Sequence, residues 1–175
     1  MFLIDGFEEI EAITPLDILR RGGVNIASAS LMGRLDVHGS HNITIKADML
    51  FEEIDITKDM MIILPGGPGT NNYKKHDPVL ELLAIHNSQG GHISAICAAP
   101  TILAMLEIVR YKTAVCHPSV ESMMTSAKVL QEDVVTDGNI TTSRGAGTAT
   151  KFGLHILGLL KGQDVVNEVA KSIVF

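Results

Sequence analysis

Cysteine is scarce: Cys97 and Cys116 are the only two in 175 residues. Two cysteines make no disulfide framework, and neither a CxxC motif nor a Cys/His cluster at zinc spacing occurs. No metal is expected, and the pair reads as free thiols of a reducing, cytoplasmic compartment. No apolar run reaches the roughly 18–20 residues of a membrane span. The opening Met1-Phe2-Leu3-Ile4-Asp5 lacks a basic n-region and a long apolar h-region, so no signal peptide is expected. Basic residues cluster no further than Arg20-Arg21 and Lys74-Lys75, and the net charge is −6. That argues against nucleic acid as the main partner. Repeats, linkers and low-complexity stretches are absent. The length fits one domain, residues 1–175, with a full core.

What is present is 46% hydrophobic sequence in which strand-like runs alternate with helical patterns. Strands are expected at Phe2–Ile4, Asn25–Ser30, Met60–Leu64, Ile93–Ile96 and Thr113–Cys116. Hairpins are expected at Asp36–His38 with Ile43–Lys46, and at Val134–Asp137 with Ile140–Ser143 around Asp137-Gly138-Asn139. Helices are expected at Glu8–Arg21, stopped by Gly22-Gly23, and at Asp77–Asn87, Ala98–Leu106, Val120–Ser126, Thr148–Leu160 and Asp164–Ser172. Thr14-Pro15 either kinks the first helix or marks a second start. On the helix Thr148–Leu160, the spacing places Phe152, Ile156, Leu159 and Leu160 on one apolar face. Such alternation implies a mostly parallel sheet between two helical layers. Ligands of such folds sit at the carboxyl ends of the strands, where Cys97 and Pro65-Gly66-Gly67 lie.

Cys97 falls where a strand passes abruptly into a helix. A nucleophile elbow requires small residues two before and two after the nucleophile, and Ala95 and Ala99 occupy those places. A helix beginning at Ala98 would aim N–H groups at the sulfur and lower its pKa. The competing reading is a buried core cysteine. Gly66 and Gly67 allow a backbone path that aims N–H groups at an oxyanion, although such runs also serve as plain turns. The Lys and Ser/Thr pattern of a P-loop is missing.

These segments resemble one family in their joint order. They are Gly6-Phe7-Glu8-Glu9-Ile10-Glu11, Leu64-Pro65-Gly66-Gly67, Ala95-Ile96-Cys97-Ala98-Ala99-Pro100, His117-Pro118, and Asp137-Gly138-Asn139 with Thr142-Ser143-Arg144-Gly145-Ala146-Gly147-Thr148. The chain is similar along its whole length to the ThiJ/PfpI superfamily, on the branch of the Parkinson's-disease-associated protein deglycase. The resemblance implies a flavodoxin-like three-layer α/β sandwich, a homodimer and no cofactor. It implies Cys97 as an oxidation-sensitive nucleophile, and Glu11 as a protonated carboxyl group donating to the sulfur. Read by itself, Glu11 is a solvated carboxylate in the first turn of a helix. His117 would shuttle protons; read by itself it is a strand-end histidine before a proline turn. Gly66, Gly67 and Ala98 would offer N–H groups to substrate. Arg21 of a partner subunit would reach the pocket mouth, His41 would sit at a dimer-side anion site, and Arg144 would support the interface.

The sequence departs from the family pattern in four places. The N-terminal strand is several residues shorter than usual, through either a misplaced start or a trimmed strand. His41 replaces an arginine, which would make the anion site weaker or pH-dependent. Ala146 replaces a common proline. Ala98 stands where the protease-like branch carries histidine, which removes the adjacent base of a Cys–His dyad. The implied activity is that of a glutathione-independent glyoxalase or protein deglycase, acting on methylglyoxal, glyoxal or early glycation adducts. The alternatives are a redox-sensing chaperone whose cysteine goes to sulfinic acid and, below both, a cysteine peptidase or amidotransferase-like hydrolase.

Overall fold

A computed structural model describes residues 1–175. In chain order the elements are β1 (Phe2–Leu3), α1 (Glu9–Arg21), β2 (Ala29–Ser30), β3 (Asp36–His38), β4 (Thr44–Lys46), β5 (Met49–Leu50), β6 (Met61–Leu64), α2 (Thr70–Tyr73), α3 (Asp77–Ser88), β7 (His92–Ile96), α4 (Pro100–Met105), β8 (Thr113–Ala114), β9 (Lys128–Val129), β10 (Val134–Asp137), β11 (Ile140–Ser143), α5 (Ala149–Lys161) and α6 (Gln163–Ser172). Short 3₁₀ turns cover Phe51–Glu53, Pro118–Met123 and Ala146–Thr148.

Two sheets form the central layer. One has the order β1-β2-β5 and is parallel; the other has the order β10-β11-β7-β6 and is parallel except for the β10–β11 hairpin. β1 lies beside β6, which joins the two. Period-two side-chain alternation then sorts the core into two halves. Ile62, Leu64, Ile93 and Ala95 face one apolar cluster with Val79, Leu83, Ile102 and Leu103 of α3 and α4. Ile63 and Ile96 face the other, with residues of α1, α5 and α6. The result is the expected α/β sandwich. Buried polar groups in the sheet are satisfied: the Ser94 hydroxyl donates to Met61 Sδ, and Thr142 Oγ1 accepts the Val115 N–H.

Helix ends follow their local chemistry. α1 has Glu9 and Glu11 in its first turn and Arg20 and Arg21 in its last, matching the helix dipole. Gly23 closes it at φ +69°, a conformation that favours glycine. Pro15 sits inside this helix, and α1 continues through it. The site is set by close packing on α5. A Cβ built on Gly153 would lie 3.1 Å from Pro15 Cα and 3.0 Å from Ile18 Cδ1.

Several expectations need correction. Asn25–Ser30 contributes only two strand residues, Ala29–Ser30. Thr113–Cys116 shortens to Thr113–Ala114, because the Val115 N–H goes to a threonine hydroxyl instead of a neighbouring strand. The helix after Cys97 begins at Pro100, not Ala98, and Val120–Ser126 is replaced by a 3₁₀ turn over Pro118–Met123. Leu159 and Leu160 are 48% and 42% exposed, so the buried face of α5 is Phe152, Leu154, Ile156 and Leu157. The two-residue strands β5 and β9 and the single turn α2 carry too few residues for any periodicity to appear.

The tight α1–α5 crossing yields a prediction. Gly153→Val should push the helices apart and lose about 1–3 kcal/mol of stability, read from urea melts.

Candidate active site

The carboxyl ends of the parallel strands converge on one edge. Leu64 pairs with Ala95, and Ile96 pairs with Ser143, so the loops after β6, β7 and β11 leave side by side. Cys97 follows β7 directly. Its φ is +66°, in the left-handed region that non-glycine residues seldom adopt. The conformation is held from both sides: the Cys97 N–H donates to the Ser143 carbonyl at 2.9 Å, and the His117 N–H donates to the Cys97 carbonyl at 2.8 Å. Strain of this kind, of order 1–3 kcal/mol, persists only where surrounding contacts over-determine it. The core-cysteine alternative therefore fails for Cys97, which is partly exposed in a cleft, and holds for Cys116, which is buried in the core.

Glu11 enters from α1 and is 1% exposed. Its Oε2 accepts the Gly66 N–H at 2.9 Å, its carboxyl reaches the Cys97 thiol, and the Ala146 N–H approaches it as well. Burial pushes this carboxyl up to about 7, against the opposing pull of Cys97 and the Gly66 N–H. The solvated-carboxylate reading thus gives way to a buried acid. Gly66 is required by this contact. A Cβ there would lie 2.8 Å from Glu11 Oε2, 2.8 Å from the Ile96 carbonyl and 2.9 Å from the Ala98 nitrogen. Its N–H is committed to Glu11, so Gly66 positions the acid rather than offering a donor to substrate.

The sulfur does not have the lowered pKa expected from a helix beginning at Ala98. Burial pushes the thiol up to about 12, and the neighbouring Glu11 charge adds to the effect. N–H groups of Gly67 and Ala98 act in the opposite direction, and both reach the sulfur. Gly67 adopts φ +94°, and a Cβ there would lie 2.5 Å from the Glu8 nitrogen. Glycine alone permits that turn.

A cleft of about 420 Å³ opens over the thiol and is lined by Glu8, Gly67, Thr70, Ala98, Thr101 and His117 among others. His117 Nδ1 accepts the Ser119 N–H at 3.2 Å, which leaves the ring proton of the neutral side chain on Nε2. Three residues implied by the resemblance lie outside this cleft in the single chain. Arg21 pairs with Asp17 at 2.6 Å at the far end of α1. His41 Nδ1 lies 2.8 Å from Glu9 Oε2 and 3.4 Å from Glu8 Oε2. Glu9 is 4% exposed; burial would raise its pKa, but His41 and Ser40 outweigh that and bring it down to about 2. Arg144 lies close enough to Cys116 to favour its ionised form, while burial pushes that thiol up to about 11.

Sequence reasoning missed the role of Gly145 and Ala146. A Cβ on Gly145 would sit 4.0 Å from Cys97 Sγ, 4.0 Å from Glu11 Oε1 and 3.5 Å from His117 Cδ2, so this glycine forms the wall where the three groups meet. The signal was there in the Gly145-Ala146-Gly147 run, but nothing local ties it to a cysteine 48 positions earlier.

The raised Glu11 pKa has a thermodynamic sign. Below pH 4.5 the carboxyl is protonated in both states; between 4.5 and 7 the unfolded chain ionises first, so stability falls as pH rises; above 7 the loss is complete. A shift from 4.5 to about 7 corresponds to about 3 kcal/mol. Glu11→Gln should abolish that slope and be more stable than the parent at pH 8, measured by chemical denaturation across pH.

Relatives share this arrangement's scaffold. The DJ-1/PfpI family pattern matches residues 1–159. Protein dj-1beta of Drosophila melanogaster is 38% identical over 176 residues, covering 99% of this chain and 94% of that one. Its crystal structure superposes with a TM-score of 0.93 over 99% of this chain and 95% of that one, at 37% identity. A Caenorhabditis elegans relative named glutathione-independent glyoxalase DJR-1.2 is 34% identical over 168 residues, covering 95% of this chain and 89% of the relative. The chain belongs to the DJ-1/PfpI family.

Proposed function

We propose that the chain is a glutathione-independent glyoxalase that converts methylglyoxal and glyoxal to hydroxy acids, and that removes early glycation adducts by the same chemistry. The observation that carries this reading is the buried Glu11 carboxyl against the Cys97 sulfur, beneath a cleft floored by the Gly67 and Ala98 N–H groups. The name of the C. elegans relative supports it.

The pair carries two protons at low pH and loses the first near pH 7. In the singly ionised pair, the remaining proton sits between sulfur and carboxyl, so a thiolate with a neutral Glu11 is one of its two forms. That thiolate attacks the aldehyde carbon, an S–C bond forms, and the carbonyl oxygen takes a proton to give a hemithioacetal. Gly67 and Ala98 N–H groups stabilise the developing oxyanion. Glu11, near pH 7 in its own titration, is suited to move the carbon-bound proton to the neighbouring carbonyl carbon through an enediol. The resulting thioester is cleaved by water, which releases the hydroxy acid and restores the thiol. His117, on the cleft wall, is placed to relay protons to solvent. Methylglyoxal plus water gives lactate with no external oxidant.

A second reading, redox sensing, is favoured by the same N–H groups. Gly67 and Ala98 would hold the oxygens of a sulfinate as they would an oxyanion. Graded peroxide followed by intact-mass measurement separates the two, since a sensor gains two oxygens on Cys97 at doses that spare Cys116.

Cys97→Ser should reduce lactate formation from methylglyoxal at least about 100-fold. An unchanged rate would end this assignment. In the parent, kcat/KM should rise with pH through about 7 and then stay level into the alkaline range. Glu11→Gln should remove that limb along with most of the rate.

A further inference from the structure

The β3–β4 hairpin meets the start of α1 at a corner beside the thiol cleft. Backbone bonds pin the two segments together. The Gly6 N–H donates to the His38 carbonyl at 2.7 Å, and the Ser40 N–H donates to the Phe7 carbonyl at 2.9 Å. Glu8 and Glu9 of one segment therefore face Ser40 and His41 of the other. Glu9 fits only because position 39 is glycine, since a Cβ there would collide with its carboxyl group. The Glu8 and Glu9 side chains are 15% and 5% exposed, and His41 is the one basic residue paired with either. Buried charge is ordinarily paired in full or bound to metal, and one histidine does not match two carboxylates.

Four donor atoms crowd into this corner. Ser40 Oγ lies 3.2 Å from Glu8 Oε2, 3.2 Å from Glu9 Oε2 and 3.1 Å from His41 Nδ1. His41 Nδ1 lies 2.8 Å from Glu9 Oε2 and 3.4 Å from Glu8 Oε2. The serine hydroxyl and the ring nitrogen supply at most two protons to these five contacts. At one proton per contact, the remaining contacts set lone pairs against lone pairs. A cation among the four atoms would satisfy them all. The spacing has the size for one, because four donors about 2.0 Å from a tetrahedral zinc ion stand about 3.3 Å apart. The other oxygen of Glu9, Oε1, accepts the His41 N–H at 2.7 Å, an outer bond of the kind that orients a ligating carboxylate. Calcium and magnesium favour larger, all-oxygen shells, whereas an imidazole nitrogen suits zinc.

We propose that Glu8, Glu9, His41 and Ser40 form a zinc site, complete within one chain. The carboxylates bind through Oε2, the hydroxyl through Oγ and the neutral imidazole through Nδ1, with its Nε2–H left to the solvent side. The ion clamps the β3–β4 hairpin to α1. It also offsets the charge of Glu8, which lines the thiol cleft. No spacing motif reveals the site in the sequence, because its halves lie 32 positions apart. Nothing in it depends on Cys97, so it stands apart from the proposed chemistry.

The probe is zinc itself, titrated into the full chain near neutral pH against a chromophoric chelator. One equivalent should bind with a Kd of about 1 µM or tighter, and the melting temperature should rise. His41→Ala, at an exposed position, should fold as the parent does and weaken binding at least about tenfold. His41→Arg supplies positive charge but no ligand, so it should lose the zinc-induced rise in melting temperature as well. Cys97→Ser should bind zinc as the parent does. Cobalt(II) in place of zinc should give the visible bands of a tetrahedral ion without thiolate charge-transfer absorption in the near ultraviolet. Two results would overturn the proposal. One is no stoichiometric binding at about 100 µM zinc. The other is binding that survives His41→Ala and disappears in Cys97→Ser, which would put the ion on the thiol.

Discussion

A carboxyl group sealed against a thiol is the constraint on which this end of the molecule depends. Glu11 has almost no contact with solvent, so its proton and that of Cys97 belong to one shared unit. Keeping the acid there fixes its surroundings. Position 66 must lack a side chain, and Gly145 must come close enough to wall in both groups. Helix α1 must lie at one depth on the sheet, which its close crossing with Gly153 of α5 enforces. The features dispersed along the sequence are thus consequences of a single contact between α1 and the strand-end loops.

The two N–H groups at the sulfur and the buried acid act in opposite senses. Burial and the neighbouring carboxyl hold the thiol in its neutral form, while Gly67 and Ala98 favour charge there. An open, helix-activated cysteine would be ionised at rest and exposed to any oxidant. In the proposed chemistry this one becomes a nucleophile through proton sharing with Glu11, a residue 86 positions away in sequence.

Much of the fold was legible because period-two and period-3.6 patterns are strong over long elements. The hairpin around Asp137-Gly138-Asn139 appears with the expected bounds, and Gly138 takes the positive φ its turn requires. The elbow at Cys97 was legible too, from the small residues on either side. Short elements were not. A two-residue strand such as Met49–Leu50 is defined by its partner, Ala29–Ser30, and not by its own residues. The exposed Leu159 and Leu160 show the same limit from the other side, since helical spacing identifies an apolar stripe but not where its cover ends. In the site, the direction of the Cys97 shift was misread. Helix geometry is a local property, whereas the burial that raises the thiol, and the Glu11 carboxyl that adds to it, arise from tertiary packing.

The double tether of the elbow leaves the backbone at Cys97 little freedom. With the Cys97 N–H and carbonyl both fixed to neighbouring backbone, a chemical change at the sulfur finds the main chain unable to yield. The side chain pressed against that sulfur is Glu11. Glu11 is part of a continuous helix of 13 residues, a rod of about 20 Å. Its other end presents the exposed Arg21–Asp17 pair. One continuous helix thus joins the most enclosed acid of the molecule to an ion pair in open solvent.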